Sequence, residues 1–214
     1  MQERKIIAIF GGSFNPPLNS HFQFAERVVN EYENIERIIF VPVSDKYNKR
    51  GLISNEHRYN MLKLMCNKNP KFLVSRIEID SETQPYTIET LEQMKDKYLE
   101  DEIWLIIGSD NLKQLPRWKD PDKLLKEFKV IVIQRDNDNV DKIILKDSIL
   151  SRYKNSFIKF VGIAAHSYPG TCEQVPLQQY KSSYVRKLIV QGKPYAQYMS
   201  EEVHEYIEKN NLYK

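Results

Sequence analysis

The residues best suited to chemistry lie near the start of the chain, in Gly11-Gly12-Ser13-Phe14-Asn15-Pro16-Pro17-Leu18-Asn19-Ser20-His21. The stretch comes after a short apolar run and precedes an amphipathic one. Two glycines free the backbone to turn and to come close to a ligand, and two prolines stiffen the second half of the loop. A helix beginning near Ser20 would aim its first N–H groups and the positive end of its dipole at the loop, which makes an anion site. His21, in the first turn of that helix, could donate to a phosphate. The same residues also suit a loop that merely caps a helix and carries a surface histidine, and their types alone leave both readings open. The chain has only seven glycines, so each should stand where the backbone needs one. Gly11, Gly12 and Gly108 directly follow apolar runs that read as strands.

Such loops need a frame. Lys5 to Phe10 (KIIAIF) reads as a buried strand. Ser20 to about Glu33, with Phe24, Ala25, Val28, Val29 and Tyr32 at helical spacing, reads as the helix after it. Ile38 to Val43 is a second strand. Ser54 suits the N-cap of a helix carrying Met61, Leu62, Met65 and Cys66 on one face. Phe72 to Ile79 reads as a third strand, Thr87 to Tyr98 as a helix, and Ile103 to Ile107 as a fourth strand closed by Gly108. Phe128 to Ile133 and Phe157 to Val161 look like two more, and the chain closes with helices at about Ser183 to Val190 and Ser200 to Lys209. Strands that are apolar throughout and alternate with helices imply an α/β fold, a parallel sheet covered on both faces. In such a sheet ligands bind beyond the carboxyl ends of the strands, near the point where strand order reverses. With no internal repeat, low-complexity segment or linker, residues 1–214 read as a single domain.

Composition narrows the function classes. The chain of 214 residues, 41% hydrophobic, is long enough for one core and short for two. Its 32 basic and 29 acidic side chains nearly cancel, to a formal net charge of +3. General attraction to nucleic acid or to a membrane surface is thereby excluded, and anions must be held by a few placed donors. No apolar run is long enough to span a membrane. Met-Gln-Glu-Arg-Lys leads straight into an apolar strand, which is read as the absence of a signal peptide. Cys66 and Cys172 have no metal or redox spacing and point to a reducing cytoplasm.

The first loop resembles the nucleotide-binding signature of the nucleotidyltransferase superfamily, G-G-[ST]-F-[DN]-P-x-H-x-G-H. Over nearly its whole length the chain resembles, within that superfamily, the bacterial nicotinate-mononucleotide adenylyltransferases. Ser54-Asn55-Glu56-His57-Arg58-Tyr59-Asn60-Met61-Leu62 resembles the family's S-x-x-x-R-x-x-M-L helix. Pro85-Tyr86-Thr87-Ile88-Glu89-Thr90-Leu91 resembles S-Y-T-I-[DE]-T-L. Gly108-Ser109-Asp110-Asn111, with Leu115 and Trp118, resembles G-x-D-x-x-x-x-L-x-x-W. Ser182-Ser183-Tyr184-Val185-Arg186 resembles S-S-T-x-[IV]-R, and Val203 through Ile207 to Leu212-Tyr213 resembles the V-x-x-Y-I…L-Y tail. The family's H-x-G-H, however, reads Leu18-Asn19-Ser20-His21 here. The second histidine is kept as His21, the first is Leu18, and the glycine is Ser20. Leucine has no donor and cannot replace an imidazole facing phosphate.

The resemblance implies a Rossmann-like parallel sheet with helices on both faces and a small C-terminal helical subregion. It implies adenylyl transfer as well. The 5′-phosphate of nicotinate mononucleotide attacks the α-phosphorus of ATP and pyrophosphate leaves, giving the dinucleotide precursor of NAD. The attacking phosphate is already anionic at neutral pH, so catalysis rests on alignment and charge stabilisation rather than on a general base. On this reading His21 and Arg186 are catalytic. Gly11, Gly12, Ser13, Phe14 and Asn15 line the ATP phosphates, Gly108 and Asp110 hold the ribose, and Ser182 and Ser183 join Arg186 at the triphosphate. Asn15, Lys49, Tyr86, Thr87, Trp118 and Arg135 are implied for the mononucleotide, with Trp118 stacked on the pyridine. Mg²⁺ would arrive bound through the ATP phosphates, with no metal site built by the protein. The implied partners are ATP and a pyridine mononucleotide, not nucleic acid or membrane, and assembly into a homo-oligomer is left open.

Each assignment has a plainer counterpart. Asp110 could cap the helix after it, Trp118 could be core, Arg186 a solvated helix charge, and Lys46, Lys49 and Arg50 a solvated loop. Because of Leu18 two other functions stay open: a diverged nucleotide binder with little turnover, and transfer to a different phosphorylated acceptor. The lost imidazole is expected to cost activity on the order of 10²-fold, by analogy with removing one oxyanion donor. Leu18→His is expected to raise turnover.

Overall fold

The apolar runs become strands of one sheet in a computed structural model, which describes residues 4–46, 50–134, 138–160 and 181–214. In chain order the elements are β1 (Ile6–Gly12), α1 (Asn19–Glu31), β2 (Ile35–Pro42), α2 (Asn55–Cys66), β3 (Phe72–Val74), α3 (Thr87–Lys97), β4 (Glu102–Gly108) and α4 (Ser109–Leu112). They continue with α5 (Pro121–Glu127), β5 (Lys129–Ile133), α6 (Val140–Lys146), α7 (Ser148–Arg152), β6 (Phe157–Phe160), α8 (Ser182–Val190) and α9 (Glu201–Lys209). Among the described residues the sheet has six strands in the order β3-β2-β1-β4-β5-β6, and every neighbouring pair is parallel. The expected α/β, Rossmann-like sheet is therefore present.

Strand period decides which core each residue feeds. Ile6, Ala8 and Phe10 of β1 point to one face, where they join Val28 of α1, Met61 of α2, Val185 of α8 and Ile207 of α9. Ile7 and Ile9 point to the other, with Leu91 of α3, Leu124 of α5 and Ile144 of α6. Burial on both faces explains why the strands read as unbroken apolar runs. Each fully buried Ile or Leu side chain contributes about 1.5–3 kcal/mol. Cys66 closes α2 inside the first core, and burial pushes its thiol up to about 12, so it stays protonated and inert at neutral pH. Among the described residues no helix is long and apolar enough to cross a membrane.

One element is shorter than its sequence suggests. Phe72 to Ile79 reads as a single strand, but β3 is an edge strand and its pairing with β2 ends at Val74. The chain then turns, with Asp80 N–H donating to Arg76 O and Ser81 Oγ to Ile77 O. That turn carries Glu78 into the interior instead of leaving it on a strand face. The helices α4 to α7 have four to seven residues, too few turns for a periodic pattern to stand out.

Candidate active site

β1 and β4 are neighbours, with Phe10 opposite Ile106. Gly11-Gly12 and Gly108 therefore end adjacent strands where the strand order reverses, the position at which such sheets bind ligands. The two leading glycines have different reasons to be glycine. A side chain at Gly12 would meet the Phe14 ring at 3.0 Å, whereas one at Gly11 would meet nothing within 4 Å. Gly11 is thus not required by the protein's own packing, and its open side lets another molecule approach the backbone. Phe14 adopts a left-handed backbone (φ 44°), which costs about 1–2 kcal/mol. Its ring repays this by packing edge-on against Phe10, Phe40 and His21, at centroid distances of 5.7, 5.7 and 5.2 Å.

The loop is anchored through its carbonyls. Gly12 O accepts from Val43 N–H at 3.0 Å. Ser13 O accepts from Arg58 Nη1 at 3.2 Å, Asn15 O from Arg186 Nη1 at 2.7 Å, and Pro16 O from Ser182 Oγ at 2.8 Å. In a planar trans peptide the next N–H points opposite to the carbonyl. Fixing the carbonyls of Gly12 and Ser13 toward their donors therefore aims the N–H groups of Ser13 and Phe14 the other way. Ser182 and Arg186 lie one turn apart on α8, so a single helix face reaches both Asn15 and Pro16. Ser183, beside them, is exposed.

Arg58 is the central anchor. It is 0% exposed, and besides Ser13 O it donates to Ile53 O at 3.0 Å and to Asn55 Oδ1 at 2.7 Å. Burial lowers its pKa, and the negative charges of Asp45 and Glu78 work against that fall. Asn15 is 3% exposed. Its Nδ2 donates to Gly51 O at 2.8 Å, and its Oδ1 accepts from Tyr213 OH at 2.9 Å and Ile53 N–H at 3.4 Å. The Asn15 side chain is thus held inside the protein by three neighbouring residues that converge on it.

His21 Nδ1 accepts the N–H of Leu18 at 2.9 Å. This bond places the ring proton on Nε2 and leaves the imidazole a donor there. Leu18 is 2% exposed and belongs to the apolar core. Its backbone orients His21 while its side chain packs inward, so the gain expected from Leu18→His is set against lost packing. Ser20 is also buried.

The other side of the site is built differently. Tyr86, at the N-cap of α3, is 58% exposed. Trp118 ends a 3-10 turn (Leu115–Arg117) and packs half-buried on the second core. Lys119 Nζ lies 4.9 Å from the Tyr86 ring centroid and 2.6 Å from Glu89 Oε1. That lysine draws the Trp118 segment onto Tyr86 and Thr87, the first residue of α3. Its hydrogen bond lowers the Glu89 pKa, and the N–H of Tyr86 adds to this. Below them the buried Glu78 carboxylate accepts from Gln84 Nε2 at 2.7 Å and Thr90 Oγ1 at 2.9 Å. Gln84 in turn accepts from Ser44 N–H at 2.7 Å, tying this segment to the end of β2. Burial raises the Glu78 pKa, opposed by the bonds from Gln84 and Thr90 and by Arg58.

Gly108 is buried and Asp110 exposed, in the first turn of α4. Lys46 is exposed and donates to Ser81 O at 2.6 Å. Lys49 and Arg135 lie outside the described residues. An open cleft of about 480 Å³ beside α3 is lined by Glu82, Glu89, Glu92 and Asp96. Its acidic walls repel phosphate, so it is not the anion site. Among the described residues no group of three or more His, Cys, Asp or Glu side chains could hold a metal ion.

A family model described as cytidylyltransferase-like matches residues 9–188. A probable nicotinate-nucleotide adenylyltransferase of Carboxydothermus hydrogenoformans is 32% identical over 210 residues, spanning 97% of this chain and 98% of the relative. The chain belongs to the cytidylyltransferase-like family, among the nicotinate-nucleotide adenylyltransferases. The Bacillus subtilis nicotinate-nucleotide adenylyltransferase is 29% identical, spanning 98% of this chain and 99% of its own. The fold is also that of the Plasmodium falciparum nicotinic acid mononucleotide adenylyltransferase complexed with NaAD, at TM-score 0.77 and 21% identity over 98% of both chains.

In this adenylyltransferase fold the first loop, His21, Ser182 and Arg186 come together, and Tyr86, Thr87 and Trp118 form a second group. Arg58, Glu78 and Tyr213 also shape the site, although sequence reasoning gave them no role. Arg58 did carry a signal. It precedes Met61 and Leu62 by three and four residues, the spacing of one helix face, so a charge sits on an apolar stripe. Tyr213 carried one as the last residue of the L-Y tail, with no role attached to it, and Glu78 carried none.

Proposed function

We propose that the chain transfers AMP from ATP to nicotinate mononucleotide, giving nicotinate adenine dinucleotide and pyrophosphate, in the cytoplasm. The observation that carries this reading is the carbonyl-anchored loop at the strand-order reversal, flanked by His21 and Arg186. Such a loop offers fixed N–H donors to phosphate and needs no reorganisation as charge shifts during transfer. The mononucleotide phosphate attacks the α-phosphorus in line, the bond to the β-phosphate oxygen breaks, and pyrophosphate carries the charge away. His21 Nε2–H donates to phosphate oxygen. Arg186 holds Asn15 O with one N–H and presents its permanent charge to the triphosphate through others. Asp110 accepts from ribose hydroxyls, and Trp118 with Tyr86 covers the pyridine ring. The donors at the loop are cationic or N–H groups, which suit anions. Mg²⁺ would arrive on the ATP phosphates and neutralise charge on their oxygens.

The test is pyrophosphate release from ATP or CTP with nicotinate mononucleotide, nicotinamide mononucleotide or neither. The fastest release is expected from ATP with the nicotinate form. Nucleotide binding by calorimetry with no release from any pair would overturn the reading in favour of a non-catalytic binder.

A further inference from the structure

The end of the chain makes a contact that its length and backbone cost would not lead one to expect. After α9, Asn211 and Tyr213 both take left-handed backbones, at φ 51° and 64°. Neither is glycine, and each such residue costs about 1–2 kcal/mol, which persists only where the surroundings dictate it. Between them Leu212 is buried in the first core and its N–H donates to Ile207 O at 3.1 Å. The two turns bring the Tyr213 phenol back under the first loop, where its hydroxyl donates to Asn15 Oδ1 at 2.9 Å, across 198 positions of sequence. Burial raises the phenol's pKa, against the pull of Arg186 and Arg58, so it is a protonated donor at neutral pH.

Asn15 is the junction on which this contact acts. Its backbone carbonyl carries Arg186, its Nδ2 holds Gly51 O, and its Oδ1 receives Ile53 N–H together with the phenol. The weaker of the two bonds to Oδ1 is that from Ile53, at 3.4 Å. The phenol is therefore the main donor to the amide oxygen, and it joins the Nδ2 bond in keeping that oxygen turned away from Gly51 O. If the amide rotated, two carbonyl oxygens would face each other, and Gly51 and the loop would part.

We propose that the Tyr213 hydroxyl is a positioning residue for adenylyl transfer, which sets the phosphate loop against Arg186 and the 51–53 segment through Asn15. The proposal rests on the adenylyl-transfer reading above, but its main test does not. In the full chain Tyr213→Phe keeps the ring and removes only the donor. Amide hydrogen exchange across residues 11–18 is expected to speed up about tenfold, the worth of one such bond, with the melting temperature lowered by no more than about 5 °C. Unaltered exchange would overturn the proposal whether or not the parent chain is active. In an active parent, kcat is expected to fall about tenfold with little change in either KM. The double variant Asn15→Ala, Tyr213→Phe should lose no more than Asn15→Ala alone. An unchanged kcat, or additive losses in the double variant, would show that the phenol does not act through Asn15. Lys214→Met, which removes only surface contacts to Glu208 and Asn211, is the control and should leave both readouts unchanged.

Discussion

The two halves of the site are built on opposite plans. On the side proposed for phosphate the first loop presents backbone groups, fixed from beneath by Arg58, Asn15 and Leu18, all nearly or fully buried. On the side proposed for the pyridine the groups presented are side chains at the surface: Tyr86 is more than half exposed, and its neighbours are joined by the Lys119–Glu89 ion pair. The difference suits the proposed chemistry. Charge moves on the phosphates, so donors there gain from being set in advance, whereas a pyridine ring needs only flat area and loses little if the wall adjusts. Damage to the first side should therefore appear in stability and kcat, and damage to the second in the KM of one substrate.

The largest effect is expected at Arg58. Arg58→Met would remove the hydrogen bonds to Ser13 O, Ile53 O and Asn55 Oδ1, a loss of about 3 kcal/mol or more at roughly 1.5–3 kcal/mol for each bond from a charged donor. Urea unfolding measures it, and a loss below about 1 kcal/mol would mean that the loop does not depend on this anchor. Next, His21→Ala should lower kcat on the order of 10²-fold while the KM for each substrate changes little. A rise in KM alone would place the imidazole outside the transferring phosphate. Trp118→Ala comes third, with the KM for the mononucleotide raised roughly tenfold, within the range for loss of one aromatic stack, and the KM for ATP unmoved. Equal changes in both would remove the distinction between the two sides.

The smallest expected effect is on pH dependence. The Glu78 carboxyl has a higher pKa folded than unfolded. Between those two values the folded state binds more protons, so stability falls as pH rises through that window, which begins near the ordinary carboxylate value of 4.5. Glu78→Gln should flatten the slope just above pH 4.5 in unfolding measured across pH, and an unchanged slope would assign it to other groups.

Much of the fold and site is legible in the sequence, for a local reason. Apolar periodicity marks the sheet-facing residues of β1, β2, β4 and β5, because both faces of those strands are covered. Glycine after an apolar run marks the strand ends. Ordered motifs mark the first loop and the Arg186 helix, which the structure brings together, and the Tyr86 and Trp118 segments, which it sets beside each other. The sequence overstates β3, since alternation reports only that a segment could pair, and an edge strand stops where its single neighbour does. It does not show how Asn15 is held for a related reason: residue type shows what an amide can bond, not which of its neighbours arrive first.

By itself, then, the sequence determined the order of elements, the glycine backbone of the loop, His21 as the surviving histidine, and a nearly balanced charge that leaves any anion to a few placed donors. The tertiary structure decided that β1 lies beside β4, that Leu18 turns inward while its N–H orients His21, that Arg58 is an internal anchor, and that Tyr213 closes the loop from the far end of the chain. Periodicity and capping act over a few residues and can be read along the chain. A hydrogen bond between Tyr213 and Asn15 forms only once packing has set where each element docks.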